Sequence, residues 1–142
     1  MRTHRTNNQQ PEQRSGVVSV EMALTLPIYF SLLFGAMEIA RVNVVLHTME
    51  NAAYEGARRL IVPGATVAQG EATTLAGLTA VKIKNPTVTV TPDPLTGIET
   101  QVTVTISVPL NDNAWVTPNI FKDMTLTRSC TLNTERTVTV VE

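Results

Sequence analysis

The chain has 142 residues, 43% of them hydrophobic and 16% charged, which excludes a disordered polyelectrolyte and leaves no room for a second large domain. Eleven Lys and Arg oppose twelve Asp and Glu, so the formal charge is -1 and no basic field exists to bind nucleic acid. The single cysteine, Cys130, excludes an intrachain disulfide and offers no second thiol for a metal site.

Residues 1–16 read as a basic leader. They carry three arginines against one glutamate, and Met1 is their only large apolar side chain. Such a segment cannot build a hydrophobic core.

An apolar stretch follows the leader over residues 17–40, where only Glu21 and Glu38 are charged. As a helix it would be about 36 Å long, enough to cross a hydrocarbon layer of ~30 Å. The arginines before it predict that the N-terminus stays cytoplasmic. Because no small-residue pattern for signal cleavage follows the stretch, we predict one retained membrane-spanning helix.

The helical pattern continues beyond the apolar stretch to residue 61. Apolar side chains recur there at three- and four-residue steps, and Pro63 with Gly64 ends the pattern. The charged residues of this helix predict a solvated face, with ion pairs between neighbouring turns: Glu38, Arg41, Glu55, Arg58 and Arg59.

The remaining residues predict a second helix and then a sheet. Apolar residues at helical spacing cover 67–84, whereas 87–91, 101–109 and 124–140 alternate threonine with apolar residues, as strands with one buried face do. Residues 111–122 read as a connecting loop, and Cys130 as a small buried strand residue.

These elements together predict an α+β protein. Its long N-terminal helix, membrane-spanning in the first half, precedes a short helix and a small antiparallel sheet. We divide the chain into a leader at 1–16, a transmembrane and amphipathic helix at 17–61, and an extracytoplasmic α+β domain at 62–142.

The sequence gives no reason to expect catalysis, a metal or another cofactor. His4 and His47 have no partner at ligand spacing. The acidic and amide residues of the C-terminal part lack the spacing of a calcium loop: Asp93, Asp112, Asn113 and Asp123. No nucleophile, phosphate-binding or dinucleotide motif is present, so an enzyme is not expected.

The junction between leader and helix has the form that a prepilin peptidase requires. Gly16 gives a membrane protease access to the backbone, and cutting after it would make Val17 the new N-terminus and Glu21 the fifth mature residue. An unpaired charge at Glu21, inside the apolar zone, costs about 2.5 kcal/mol or more. The N-terminus of a neighbouring subunit could supply the cation, which would make Glu21 a registry device in polymerisation.

Three stretches carry a resemblance to a known family: R-S-G-V-V-S-V-E-M-A-L-T-L-P (14–27), E-I-A-R (38–41) and N-A-A-Y-E-G-A-R (51–58). Together they resemble the TadE-like pseudopilins of the bacterial tight-adherence, or Flp pilus, machinery. The positions that match the family pattern are Pro27 in the span and Glu38, Arg41, Asn51, Glu55, Gly56 and Arg58 along the helix.

The resemblance implies a pilin-like fold, prepilin-peptidase processing, insertion in the inner membrane and a minor role in pilus biogenesis. The implied partners are the peptidase, other pilins and pseudopilins, inner-membrane assembly proteins and the lipid bilayer. A major pilin is disfavoured, because Met22 stands where those proteins commonly have tyrosine, and because about 80 residues of further domain are attached.

Two hypotheses from different classes remain open. The first is a membrane-anchored structural subunit, cleaved after Gly16, that joins or primes a pilus or a related secretion assembly. The second is an uncleaved, signal-anchored module whose sheet binds a ligand or an envelope partner. In either case Pro27 is a kink position, which could bend or locally melt the helix during assembly or simply be tolerated in the membrane.

Overall fold

The computed structural model describes residues 12–96, 99–115 and 123–134, with the backbone alone for 12–15. The chain order is α1 (Glu12–Leu60), α2 (Val67–Ala80), β1 (Thr87–Thr91), β2 (Gln101–Pro109), α3 (Leu110–Asn113) and β3 (Thr125–Asn133). The predicted α+β, pilin-like arrangement is therefore confirmed. Leader residues 1–11, the part of the predicted loop at 116–122 and the end of the third alternation at 135–140 lie outside the described residues.

Three boundaries differ from the prediction. Helix α1 begins at Glu12, inside the predicted leader, because residues 12–15 have no strong helix breaker and extend the helix backwards. Helix α2 ends at Ala80 instead of continuing to 84, and Lys82 adopts a left-handed backbone with φ 56°. The segment predicted as a loop contains the short helix α3.

The chain forms two compact units, Met1–Met37 and Glu38–Glu142. In the described part of the first unit the backbone is helical, and the side chains of residues 16–37 are exposed apart from the half-buried Thr25. Among the described residues, the helix over Gly16–Leu60 has the length and composition to cross a membrane, and none of its most apolar 18-residue stretch is buried.

The second unit has its core between its helices and a three-stranded antiparallel sheet of order β1-β2-β3. The central strand β2 supplies four fully buried side chains: Val102, Val104, Ile106 and Val108. Helix α1 adds a stripe of its own at three- and four-residue steps: Val45, Met49, Ala52, Ala53, Ala57 and Leu60. The second half of α1 therefore belongs to the core of this unit.

The opposite face of the sheet is lined with hydroxyl groups. Strand register places Thr103 opposite Thr131, with their Oγ1 atoms 2.8 Å apart, and Ser107 opposite Thr127. The alternation read from the sequence is thus confirmed, with valine and isoleucine inward and threonine outward. Cys130, predicted as buried, is half-buried against the core, and this burial raises the pKa of its thiol.

Candidate functional site

The predicted cleavage junction lies within continuous helix. Gly16, Val17 and Glu21 are all exposed, and the backbone is helical on both sides of the Gly16–Val17 bond. A Cβ added to Gly16 would meet no atom within 4 Å, so packing among the residues that the structure describes does not require glycine here.

Glu21 is the first acidic residue of the apolar stretch that follows the junction. Its backbone carbonyl accepts a hydrogen bond from Thr25 Oγ1 at 3.0 Å, one turn further along the helix. Its exposed side chain lies beside Val17, Val20 and Leu24, which with Gly16 line a shallow, mainly apolar depression. The carboxylate is therefore available to a group from outside the chain.

Helix α1 continues through Pro27 without a break. Proline has no amide hydrogen and so removes one bond from the helix ladder. On the other side of the residue, Ser31 Oγ donates a 2.8 Å hydrogen bond to the Pro27 carbonyl. The kink predicted at Pro27 stays a prediction.

Glu38 was predicted on the solvated face of the helix, and that prediction is wrong. Only 3% of the residue is exposed, and the Trp115 backbone amide donates to both of its carboxylate oxygens at 3.2 Å. A buried carboxylate needs hydrogen-bond donors, and the loop after α3 supplies one in the Trp115 amide. The two residues are 77 positions apart, too far for helical spacing to reveal their contact.

Arg41, predicted on the same solvated face, is half-buried and takes part in the same cluster. Its guanidinium carbon lies 5.3 Å from the centre of the Trp115 ring, a cation–π distance, and its Nε donates to the Asn113 carbonyl at 3.4 Å. The first residue after the apolar stretch is therefore held by contacts with the C-terminal part of the chain.

Asn113 is the residue that organises this cluster, and no local sequence pattern marks it for that role. Its Oδ1 accepts the Lys84 amide at 2.8 Å, and its Nδ2 donates to the carbonyls of Lys84 at 3.0 Å and Pro109 at 2.9 Å. Only 3% of the residue is exposed. One amide side chain thus ties the turn after α2 to the start of α3.

The predicted motif positions near the end of α1 separate into buried and exposed ones. Asn51, Glu55 and Arg58 are exposed, whereas Gly56 is buried against α2. A Cβ at Gly56 would overlap Thr74 Oγ1 and lie 3.3 Å from the Gly70 carbonyl. Glycine is needed at position 56 because the two helices touch there.

Comparison with known families supports the interpretation of the helix. Residues 16–58 match the family described as TadE-like protein. This chain carries a TadE-like segment. The resemblance predicted from the sequence is confirmed over these residues. No curated protein and no solved structure matches the chain.

The TadE-like segment contains every site residue predicted from the sequence, from Gly16 to Arg58. The residues that hold its Glu38 and Arg41 in place, Asn113 and Trp115, lie outside the match. The polar cluster is therefore made jointly by the TadE-like segment and by the part of the chain that no comparison covers.

A second contact between these parts is an exposed ion pair. Arg128 Nε on β3 donates to Glu50 Oε1 on α1 at 2.9 Å. This hydrogen bond, helped by His47 one turn earlier, holds the pKa of the Glu50 carboxyl below its usual value. In the described residues no group of three or more His, Cys, Asp and Glu is arranged to hold a metal ion.

Proposed function

We propose that this protein is a minor pseudopilin of a tight-adherence pilus or a related bacterial secretion assembly. A prepilin peptidase cleaves it after Gly16, and it remains anchored in the inner membrane with its C-terminal domain extracytoplasmic. The observation that carries the proposal is the TadE-like match over residues 16–58, which coincides with an apolar helix whose first half is exposed on every side.

The exposed first half of the helix supports an anchoring and assembly role. A large apolar side chain gains about 1.5–3 kcal/mol when it leaves water, and this stretch carries many of them without burying them in its own chain. A helix that is apolar all round is stable in lipid or against other helices. Lipid and neighbouring subunits are therefore its partners.

Cleavage after Gly16 would change the charge of the chain. Residues 1–16 contain three arginines and one glutamate, so the mature protein has 8 basic and 11 acidic side chains and a formal charge of -3. Its new α-amino group at Val17 is the cation that pairs with Glu21 of a neighbouring subunit. This pairing offsets the cost of an acid in the apolar zone and sets the register between subunits.

Amino-terminal sequencing of the membrane-extracted protein tests the cleavage step. In cells with the cognate peptidase we expect the protein to begin at Val17, and Gly16→Leu to remain full length. Gly35→Leu is the matched control, since a Cβ there also meets no atom within 4 Å, and it should be processed normally. Recovery of the full-length wild-type protein would overturn the cleavage step and favour the signal-anchored binding module.

The role of Glu21 is tested separately from cleavage. Glu21→Ala and Glu21→Gln should be processed normally but should be depleted from sheared pilus fractions or fail to support pilus formation. Glu71→Ala, which removes an acid of α2 outside the TadE-like match, should behave as wild type. Normal assembly of both Glu21 variants would show that the charge has no part in subunit register.

A further inference from the structure

A small basic pocket lies beside the polar cluster that holds Glu38. Its volume is about 240 Å³, and the side chains that define it are Arg41, Lys82, Lys84, Asp112, Asn113 and Trp115. Three cations from two distant parts of the chain converge on it. None of these cations is needed for the cleavage or the subunit register proposed above.

The pocket is built by the backbone around Asn113. The Asn113 side chain hydrogen-bonds to the backbone amide and carbonyl of Lys84, and the Asn113 backbone carbonyl accepts a hydrogen bond from Arg41 Nε. One residue therefore positions cations from α1 and from the turn after α2. The left-handed backbone of Lys82 ends α2, and the amide of Ile83 returns to the Leu78 carbonyl at 3.2 Å. This tight turn brings the two lysines to one pocket.

The charge of the pocket differs from that of the unit around it. Residues 38–142 contain eight Lys and Arg against ten Asp and Glu, yet the pocket has three cations and one acid in its lining. That acid, Asp112, accepts a 2.7 Å hydrogen bond from Asn85. Glu38 does not line the pocket; it is buried and accepts a hydrogen bond from the Trp115 amide. Both carboxylates thus have hydrogen-bond donors, and the lining keeps an excess of two positive charges, from three cations against Asp112.

We propose that this pocket binds the phosphate headgroup of an anionic phospholipid in the extracytoplasmic leaflet of the membrane that holds the helix. The inference rests on the membrane anchoring in the proposed function, but not on cleavage. Arg41 is the residue that directly follows the apolar stretch 17–40, where a headgroup layer begins. Trp115 is 63% exposed, and tryptophan beside Lys and Arg is typical of membrane interfaces.

The chemistry of the pocket fits a phosphate diester. Arginine and lysine are the side chains that bind phosphate oxygens, and three cations around a small pocket favour an anionic headgroup over a zwitterionic one. The indole ring is held on one side by Arg41 and leaves its exposed part for the glycerol and upper acyl region. One bound lipid would thereby fix the start of the extracytoplasmic unit at the membrane surface.

Trp115 is the chain's one tryptophan, so its fluorescence reports on this pocket alone. The full-length protein is reconstituted in vesicles of phosphatidylcholine with a rising share of phosphatidylglycerol, some of it spin-labelled at the headgroup. We expect saturable quenching of Trp115 that depends on phosphatidylglycerol. Labelled phosphatidylcholine should quench weakly and without saturation.

The variant Lys82→Ala/Lys84→Ala should shift the midpoint of this quenching by about 30-fold, the effect expected for two interfacial lysines. It leaves the backbone bonds to Asn113 in place. The control Arg58→Ala/Arg59→Ala removes two exposed cations from α1 and should leave the midpoint unchanged.

Equal quenching by both lipids, or an unshifted midpoint in the lysine variant, would overturn the lipid site. Complete relief of this quenching by inorganic phosphate, at a concentration far below that of the lipid, would also overturn it and identify a site for free anions. If the protein fractionates with membranes and begins at Val17 while the lipid response is missing, this inference alone fails. If the protein does not fractionate with membranes, the proposed function fails with it.

Discussion

The two parts of helix α1 have the same backbone structure and opposite surroundings. Between residues 16 and 37 the large apolar side chains are exposed, whereas between 38 and 60 one stripe is fully buried in the sheet domain, including Met49 and Leu60. One continuous helix thus has two ways of removing its apolar side chains from water. The second part buries that surface in its own chain, and the first, under the proposed function, buries it in lipid or against neighbouring subunits.

The difference also appears in the size of the residues. The first part carries leucine, phenylalanine and tyrosine, which offer area to an outside partner. The second part uses small residues at the contact with α2, where Ala52 lies near Gly77 and Gly56 touches Thr74. Small side chains let two helices approach closely, and such contacts tolerate little change.

The largest effect should come from truncating a buried leucine. Leu60→Ala should destabilise the folded unit by about 2–5 kcal/mol, because it leaves a cavity in the core. Leu33→Ala, the same change in the exposed part, should leave that stability unchanged. Thermal unfolding of full-length protein in detergent measures both, and a similar loss in the two variants would contradict the division of the helix.

A second pair tests close packing. In Gly56→Ala the overlap with Thr74 should lower the free energy of unfolding by about 1–3 kcal/mol. The higher helix propensity of alanine should offset roughly 1 kcal/mol of that loss. Gly35→Ala should be neutral or slightly stabilising. Adding Thr74→Ala should recover part of the Gly56→Ala loss, and strictly additive effects would show that the two residues do not meet.

The smallest effect belongs to the exposed ion pair between α1 and β3. Because the folded pKa of Glu50 is lowered, its contribution is present above the unfolded pKa and is lost as pH falls through the folded value. Both side chains are well exposed, so Glu50→Gln should barely change the melting temperature at neutral pH. The difference from wild type should vanish in acid; a large neutral-pH loss would mean that the pair is structurally central.

The main elements could be predicted from the sequence because their signals are local. The apolar run predicts the first part of α1, three- and four-residue steps predict the second, and threonine alternation predicts the strands. The start of α1 at Glu12 was not predicted, because the composition of residues 1–16 indicates a leader but does not show where the helix begins within it.

The polar cluster could not be predicted, since its contacts join distant residues. Glu38 meets the Trp115 amide across 77 positions, and Arg41 meets Asn113 across 72. Helical spacing places both charges beside each other and so indicated a solvated pair. The return of the chain after β2 determines that Glu38 is buried.

The central claim is that the first part of α1 lies in a membrane while the second does not. Leu33 and Tyr54 test it directly, because they are 53% and 49% exposed in the structure. In a Cys130→Ser background, Leu33→Cys and Tyr54→Cys are treated with a membrane-impermeant maleimide in spheroplasts. We predict that position 54 reacts at once and position 33 reacts only after detergent is added. Equal labelling of both before detergent would contradict the account.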